Sequence, residues 1–159
     1  MRSSQPASAA ELQTRALRLL ARREHSRAEL VRKLAPHAPS SEALQQLLDA
    51  LAAKKQLSDE RYAEARAHQL ARKSGAERVR RDLLAKGVSQ EVAVRLAADS
   101  GRGDLERARA ILARKYRSAA TTLQERARRA RFLQSRGFSA EVIRSAVGGF
   151  RGAFSEESR

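Results

Sequence analysis

Leu83-x-x-Lys86-Gly87-Val88-Ser89-x-Glu91-Val92 returns at a constant offset of 50 residues as Leu133-x-x-Arg136-Gly137-Phe138-Ser139-x-Glu141-Val142. Each copy reads as the end of one helix and the start of the next. The glycine supplies a left-handed stop and the serine caps the second helix. A match this long points to internal duplication of a small helical unit.

A second phrase frames the first. A Leu-Ala-Arg-basic helix end followed by Ser/Thr-x-x-Glu occurs at Leu20-Ala21-Arg22-Arg23 with Ser26 and Glu29, at Leu70-Ala71-Arg72-Lys73 with Ser74 and Glu77, and at Leu112-Ala113-Arg114-Lys115 with Thr122 and Glu125. The spacing predicts three capping boxes. Units repeating every 40 to 50 residues or so build long binding surfaces rather than enclosed catalytic pockets.

Outward from these phrases, apolar residues recur with helical spacing, and no stretch alternates as a strand would. The chain reads as all-α: three tandem three-helix repeats in an elongated array. In the first unit, helices over about 11–23, 27–34 and 41–54 turn Leu12, Ala16, Leu30, Leu34, Leu44 and Leu48 inward, and Pro36 and Pro39 replace the glycine turn. The second unit has helices over about 59–73 and 76–86 and a third capped by Ser89. The third has helices over about 104–116 and 123–136 and one capped by Ser139 that ends at Val147. Gly101-Arg102-Gly103 reads as a flexible joint. The expected division is a tail over 1–10, repeats over 11–57, 58–101 and 102–149, and a tail over 150–159.

Composition narrows the partners. Among 159 residues, 33 Lys and Arg face 18 Asp and Glu, a formal net charge of +15. The positive field favours a polyanion, either nucleic acid or an acidic protein surface. Arginine's planar fork suits both phosphates and carboxylates, although a GC-rich genome also favours arginine codons. There is no cysteine, so disulfides and thiolate metal sites are excluded. The opening MRSSQPASAA has no signal-peptide core and no run reaches membrane-spanning length, so a cytoplasmic protein with no membrane partner is expected.

Little in the chain suggests catalysis. His25, His37 and His68 have no second ligand at metal spacing. The acidic residues fall mostly at helix starts, where they serve the helix dipole, and Gly101-x-Gly103 lacks the Gly-Lys-Ser/Thr of a phosphate loop. No enzyme activity, cofactor or metal is expected.

The middle helices carry more arginine than solvation or i,i+4 pairing accounts for. The candidate binding residues, chosen from helical geometry, are Arg22, Arg23, Lys33, Arg66, Arg72, Lys73, Arg78, Arg81, Lys86, Arg128, Arg129, Arg131 and Arg136. The Gly-containing turns are similar to those of a DNA-reading helix-turn-helix. The helices after them begin Gln90-Glu91 and Ala140-Glu141, however, where a carboxylate would repel phosphates, so the turn reads as a packing device. Six aromatic residues are too few for a base-stacking platform.

Four groups of residues also carry a family resemblance. They are Arg23-x-His25-Ser26-x-x-Glu29-Leu30 with Lys33-Leu34, Leu57-x-Asp59-x-Arg61-Tyr62-Ala63, Gly75 with Leu83-x-x-Lys86-Gly87-Val88, and Phe132-Leu133-x-x-Arg136-Gly137-Phe138. In this order the chain resembles the RecX family of bacterial regulators of the RecA recombinase, from about residue 16 to 147. The resemblance implies a curved array lodged in the groove of the RecA nucleoprotein filament. There it would restrain recombinase, ATPase and coprotease activities and so regulate DNA repair, homologous recombination and the SOS response. It implies the RecA filament as partner; DNA reached by the same arginines through phosphates and a monomeric state are expected alongside. One departure stands out: where the family often has Gly after Lys-Tyr, Tyr116 is followed by Arg117-Ser118-Ala119-Ala120, and a longer or straighter bend is expected. The rival reading is a general basic DNA-binding protein without a specific protein partner.

Overall fold

The computed structural model describes residues 7–148, which form nine α-helices, one short 3-10 turn and no strand. Unit 1 comprises α1 (Ala9–Arg22), α2 (Arg27–Leu34) and α3 (Ser41–Ala53). Unit 2 comprises α4 (Asp59–Ala71), α5 (Ala76–Ala85) and α6 (Gln90–Gly101). Unit 3 comprises α7 (Asp104–Lys115), α8 (Leu123–Ser135) and α9 (Ala140–Val147).

Each unit closes its own apolar core. Leu12, Leu30, Leu34, Leu48 and Leu51 are buried together in unit 1. Tyr62, Ala63, Val79, Leu83 and Val88 fill unit 2, and Ala108, Leu133, Phe138 and Ile143 fill unit 3. The helical residues among these follow the i, i+3 and i+4 pattern, so their burial comes from the periodicity, while Val88 and Phe138 enter the cores from the turns after Gly87 and Gly137.

The helix starts diverge from the sequence pattern in an informative way. Ser8 and Glu11 form a full capping box, so α1 begins at Ala9 and takes in two residues that spacing alone assigns to the tail. The rest of both predicted tails, 1–6 and 150–159, lies outside the described residues. Thr122 and Glu125 also form a full box on α8. Ser26 caps α2 by accepting the Glu29 N–H at 3.1 Å, but the Glu29 carboxylate turns to Arg23 instead of back to the cap. The expected Ser74 box does not form: the N-cap of α5 is Gly75, without a side-chain cap.

The third unit caps α5 instead. Gly75 N–H donates to the Arg136 carbonyl at 2.9 Å and Glu77 N–H to the Gly137 carbonyl at 3.1 Å. Between them, Ala76 N–H donates to Asp104 Oδ2 at 2.9 Å. Unit 2 meets unit 1 in the same manner. Ser26 Oγ donates to the Lys86 carbonyl at 2.9 Å, and Arg27 N–H donates to Asp59 Oδ1 at 2.7 Å. The repeat is therefore stitched by a repeated device. In both junctions a backbone amide at the start of one unit's middle helix donates to the first-turn aspartate of the next unit's first helix, and the carbonyl that ends the next unit's middle helix accepts a second bond, from the Ser26 hydroxyl in one case and from the Gly75 amide in the other.

Gly87 and Gly137, both at φ +81°, make the turns that dock there. A Cβ on Gly137 would sit 2.5 Å from the backbone nitrogen of Arg78. The packing role expected of this turn is thus a contact between units, with the glycine needed for both its backbone angle and its lack of a side chain.

Gly101-Arg102-Gly103 is not a flexible joint. The α6 helix runs through Gly101, leaving two residues before α7. Buried Asp104 binds Arg107, whose guanidinium also reaches the Ser100 carbonyl at 3.4 Å. The bend after Tyr116 is long, with residues 116–122 non-helical, and Arg129 holds it by donating to the Ser118 carbonyl at 2.8 Å.

Candidate binding surface

Twelve of the thirteen predicted cations divide into three groups, and the thirteenth, Lys86, lies in the notch between units 1 and 2. Those of the first group are consumed by the fold. Arg23 forms a two-pronged pair with Glu29, at 2.6 and 3.0 Å, and Arg66 does the same with Asp82, at 2.7 and 2.9 Å. Hydrogen bonding to these guanidiniums holds Glu29 and Asp82 below the usual carboxylate range. Arg129 lies 4.5 Å over the Tyr116 ring, and Arg136 lies 5.1 Å over Phe132 while donating to the Lys73 carbonyl. Helical geometry puts Arg129 and Arg136 outside the buried stripe, and there both are half-buried because aromatic rings of unit 3 receive their guanidinium planes.

The second group, Arg72, Lys73 and Arg78, is exposed and forms no ion pair among the described residues. Together with Arg66 and Arg136 these residues line a groove of about 610 Å³ between the end of α4, the start of α5 and the end of α8. Gln69, Leu70 and Ser74 complete its wall, which among the described residues contains no carboxylate. The Gly75–Arg136 and Ala76–Asp104 bonds place Arg136 here from unit 3, 58 residues beyond Arg78 in the chain.

A neighbouring notch of about 400 Å³ lies between units 1 and 2, where Arg23, Arg66 and Lys86 meet Glu24, Glu29 and Tyr62. Arg66 and Gln69 belong to both hollows, so the two form one face. Their chemistry differs, because the notch contains its own anions and the groove does not.

The third group lies apart from these hollows. Arg22, Lys33, Arg128 and Arg131 are exposed, and Arg81 donates to the Glu77 carbonyl on its own helix at 3.3 Å. Periodicity placed these residues outside the core but carried no information on which neighbour they face.

Sequence reasoning missed Lys115, 4.2 Å above the Phe132 ring, which joins Arg129 and Arg136 around the edge-to-face pair Tyr116 and Phe132. It also read Asp59 and Asp104 only as dipole partners of their own helices. The available signal was that an aspartate opens the first helix of each following unit.

Among the described residues no group of His, Asp and Glu could hold a metal ion, and no helix is long and apolar enough to cross a membrane. His25 is buried, and burial lowers its pKa, while its Nδ1 donates to the Arg23 carbonyl at 3.0 Å.

Comparison with known proteins bears on this arrangement. Residues 58–94 match the model of "RecX, second three-helix domain" and residues 103–147 that of "RecX, third three-helix domain". The chain is 42% identical over 135 residues to the regulatory protein RecX of Herbaspirillum seropedicae, covering 85% of this chain and 88% of that one. It is 42% identical over 136 residues to RecX of Leptothrix cholodnii, covering 86% and 87%. The crystal structure of RecX from Lactobacillus salivarius superimposes with a TM-score of 0.75 at 18% identity, covering 87% of this chain and 94% of that one, a likeness of fold.

Proposed function

The chain belongs to the RecX family of regulatory proteins, which are not enzymes, and from that premise we propose that it binds the RecA nucleoprotein filament in its groove and restrains RecA. The proposed targets are recombinase, ATPase and coprotease activities, and the protein acts in the cytoplasm as a monomer. The observation that carries this reading is the continuous face running from the unit 1–2 notch to the unit 2–3 groove. The repeated junctions hold its cations in fixed register, so modest contacts along the array add through effective concentration when the partner is a polymer. Bridging neighbouring protomers opposes strand exchange and filament growth.

The test is RecA's DNA-dependent ATPase. Repression at substoichiometric amounts relative to RecA protomers is the expected result. Repression that tracks DNA coverage alone would replace this reading with that of a general basic DNA-binding protein.

A further inference from the structure

We propose that the unit 2–3 groove is a binding site for the phosphodiester backbone of single-stranded nucleic acid, distinct in chemistry from the unit 1–2 notch. This deepens the reading above and rests on it only for the biological setting.

The contrast between the two hollows carries the argument. In the notch, the Glu29 carboxylate pairs with Arg23, that of Glu24 is taken by Arg61, and Asp82 answers Arg66 from outside the wall, so of the notch cations only Lys86 forms no ion pair among the described residues. In the groove, Arg72, Lys73 and Arg78 form no ion pair among the described residues, and Arg136 adds a fourth cation held by the Lys73 carbonyl. Four cations converging without a carboxylate repel one another until an anion enters. Arginine forks with nearby Gln69 and Ser74 supply the charge-assisted and neutral hydrogen bonds that phosphate oxygens take.

A protein partner is disfavoured by what the groove lacks. Protein interfaces draw their energy from aromatic or aliphatic anchors in fitted pockets. Here the one apolar wall residue is Leu70, already packed against the core of its own unit. A duplex is disfavoured by shape: it is a stiff rod with a persistence length of about 50 nm, able to touch only the rim of a hollow this small. A single strand bends into it. Because the wall comes from two units, a strand seated there also spans the junction.

The test is fluorescence anisotropy of the full chain on labelled oligothymidylate over a salt series, comparing R72A/K73A/R78A with the charge-matched control R22A/R128A/R131A. With a salt slope of about 0.7 per phosphate contact on single strands, the groove variant should lose at least about tenfold in affinity, with a slope shallower by about two, while the control stays within about threefold. Circular dichroism melts should be unchanged, since all three groove side chains are exposed and unpaired. Equal losses in both variants, or an unchanged slope in the groove variant, would overturn the proposal. So would polyglutamate competing as well as oligothymidylate at equal charge, which would reassign the groove to acidic protein segments, or duplex bound as tightly through the same three residues. RecA ATPase, measured in parallel, separates the two readings. Wild-type protein that binds the oligonucleotide but never represses RecA overturns the proposed function and leaves the groove standing. A groove variant that loses the strand while still repressing RecA supports the groove proposal and confines the repressing contacts to the rest of the face.

Discussion

Asp104 Oδ2 accepts the backbone N–H of Ala76 at 2.9 Å across the boundary between units 2 and 3, doing for α5 what Ser74 was expected to do. Asp59 repeats the relationship on Arg27. For α5, which has no side-chain cap of its own, capping is thereby an assembly contact with the next unit, whereas α2 adds Asp59 to its own Ser26 cap and α8 closes its own capping box.

Asp104 is buried and also binds Arg107, so D104A leaves an amide and a guanidinium without their partner. Breaking a buried pair of this kind costs about 3 kcal/mol or more. D104N retains an acceptor for Ala76 and should lose less than half as much. Urea unfolding of the two variants checks this; equal losses would mean that the carboxylate's charge, not its acceptor, matters at the junction.

The serines of the first two repeated phrases should behave oppositely. Ser26 is fully buried, accepts from Glu29 and donates to Lys86, so S26A should cost about 2 kcal/mol through a lost cap and an unpaired carbonyl. Ser74 caps nothing, and S74A should stay within about 0.5 kcal/mol of wild type. Thermal denaturation distinguishes them, and a large loss in S74A would restore the capping box that its sequence suggests.

Three glycines separate backbone strain from close approach. Gly148 has φ +78° and a Cβ there would meet no atom of the described residues within 4 Å, so G148A should cost only about 1 kcal/mol of strain. Gly75 has an ordinary φ of −84°, but its Cβ would stand 2.6 Å from the Phe138 Cα, a purely steric loss at the junction. Gly137 suffers both, and G137A should be the most destabilising of the three, by more than about 3 kcal/mol. Equal Tm shifts across the series would remove the intimate docking of unit 3 on α5.

Acid should reveal carboxylates of opposite sign. Asp82 is held low by hydrogen bonding to Arg66, so its contribution is present above the unfolded value of about 4 and is lost as pH falls through the depressed native value. The stability gap between wild type and D82N should therefore close on acidification. Burial raises Asp104, outweighing the Ala76 amide and Arg107. Its protonation favours the fold, a contribution present below about pH 4 and lost as pH rises through the raised native value. D104N should then compare better with wild type at neutral pH than in acid. Melts from pH 7 to 3 on both variants check the signs.

The sequence by itself determined the all-α class, the inward faces of the helices and the left-handed glycine turns, because 3.6-residue periodicity and a positive φ are local properties written in consecutive residues. It also placed the cations outside the core. Which of them are free was a tertiary decision: Arg23 and Arg66 are neutralised by Glu29 and Asp82, and Arg129 and Arg136 lie on aromatic rings, while Arg72, Lys73 and Arg78 gather in one groove. A helical pattern tells which side chains leave the core, but a cation's electrostatic fate depends on what another unit brings within a few ångströms of it. The same holds for Ser74 and Asp104: a capping motif competes with every acceptor the fold delivers, and here the acceptors of the next unit won.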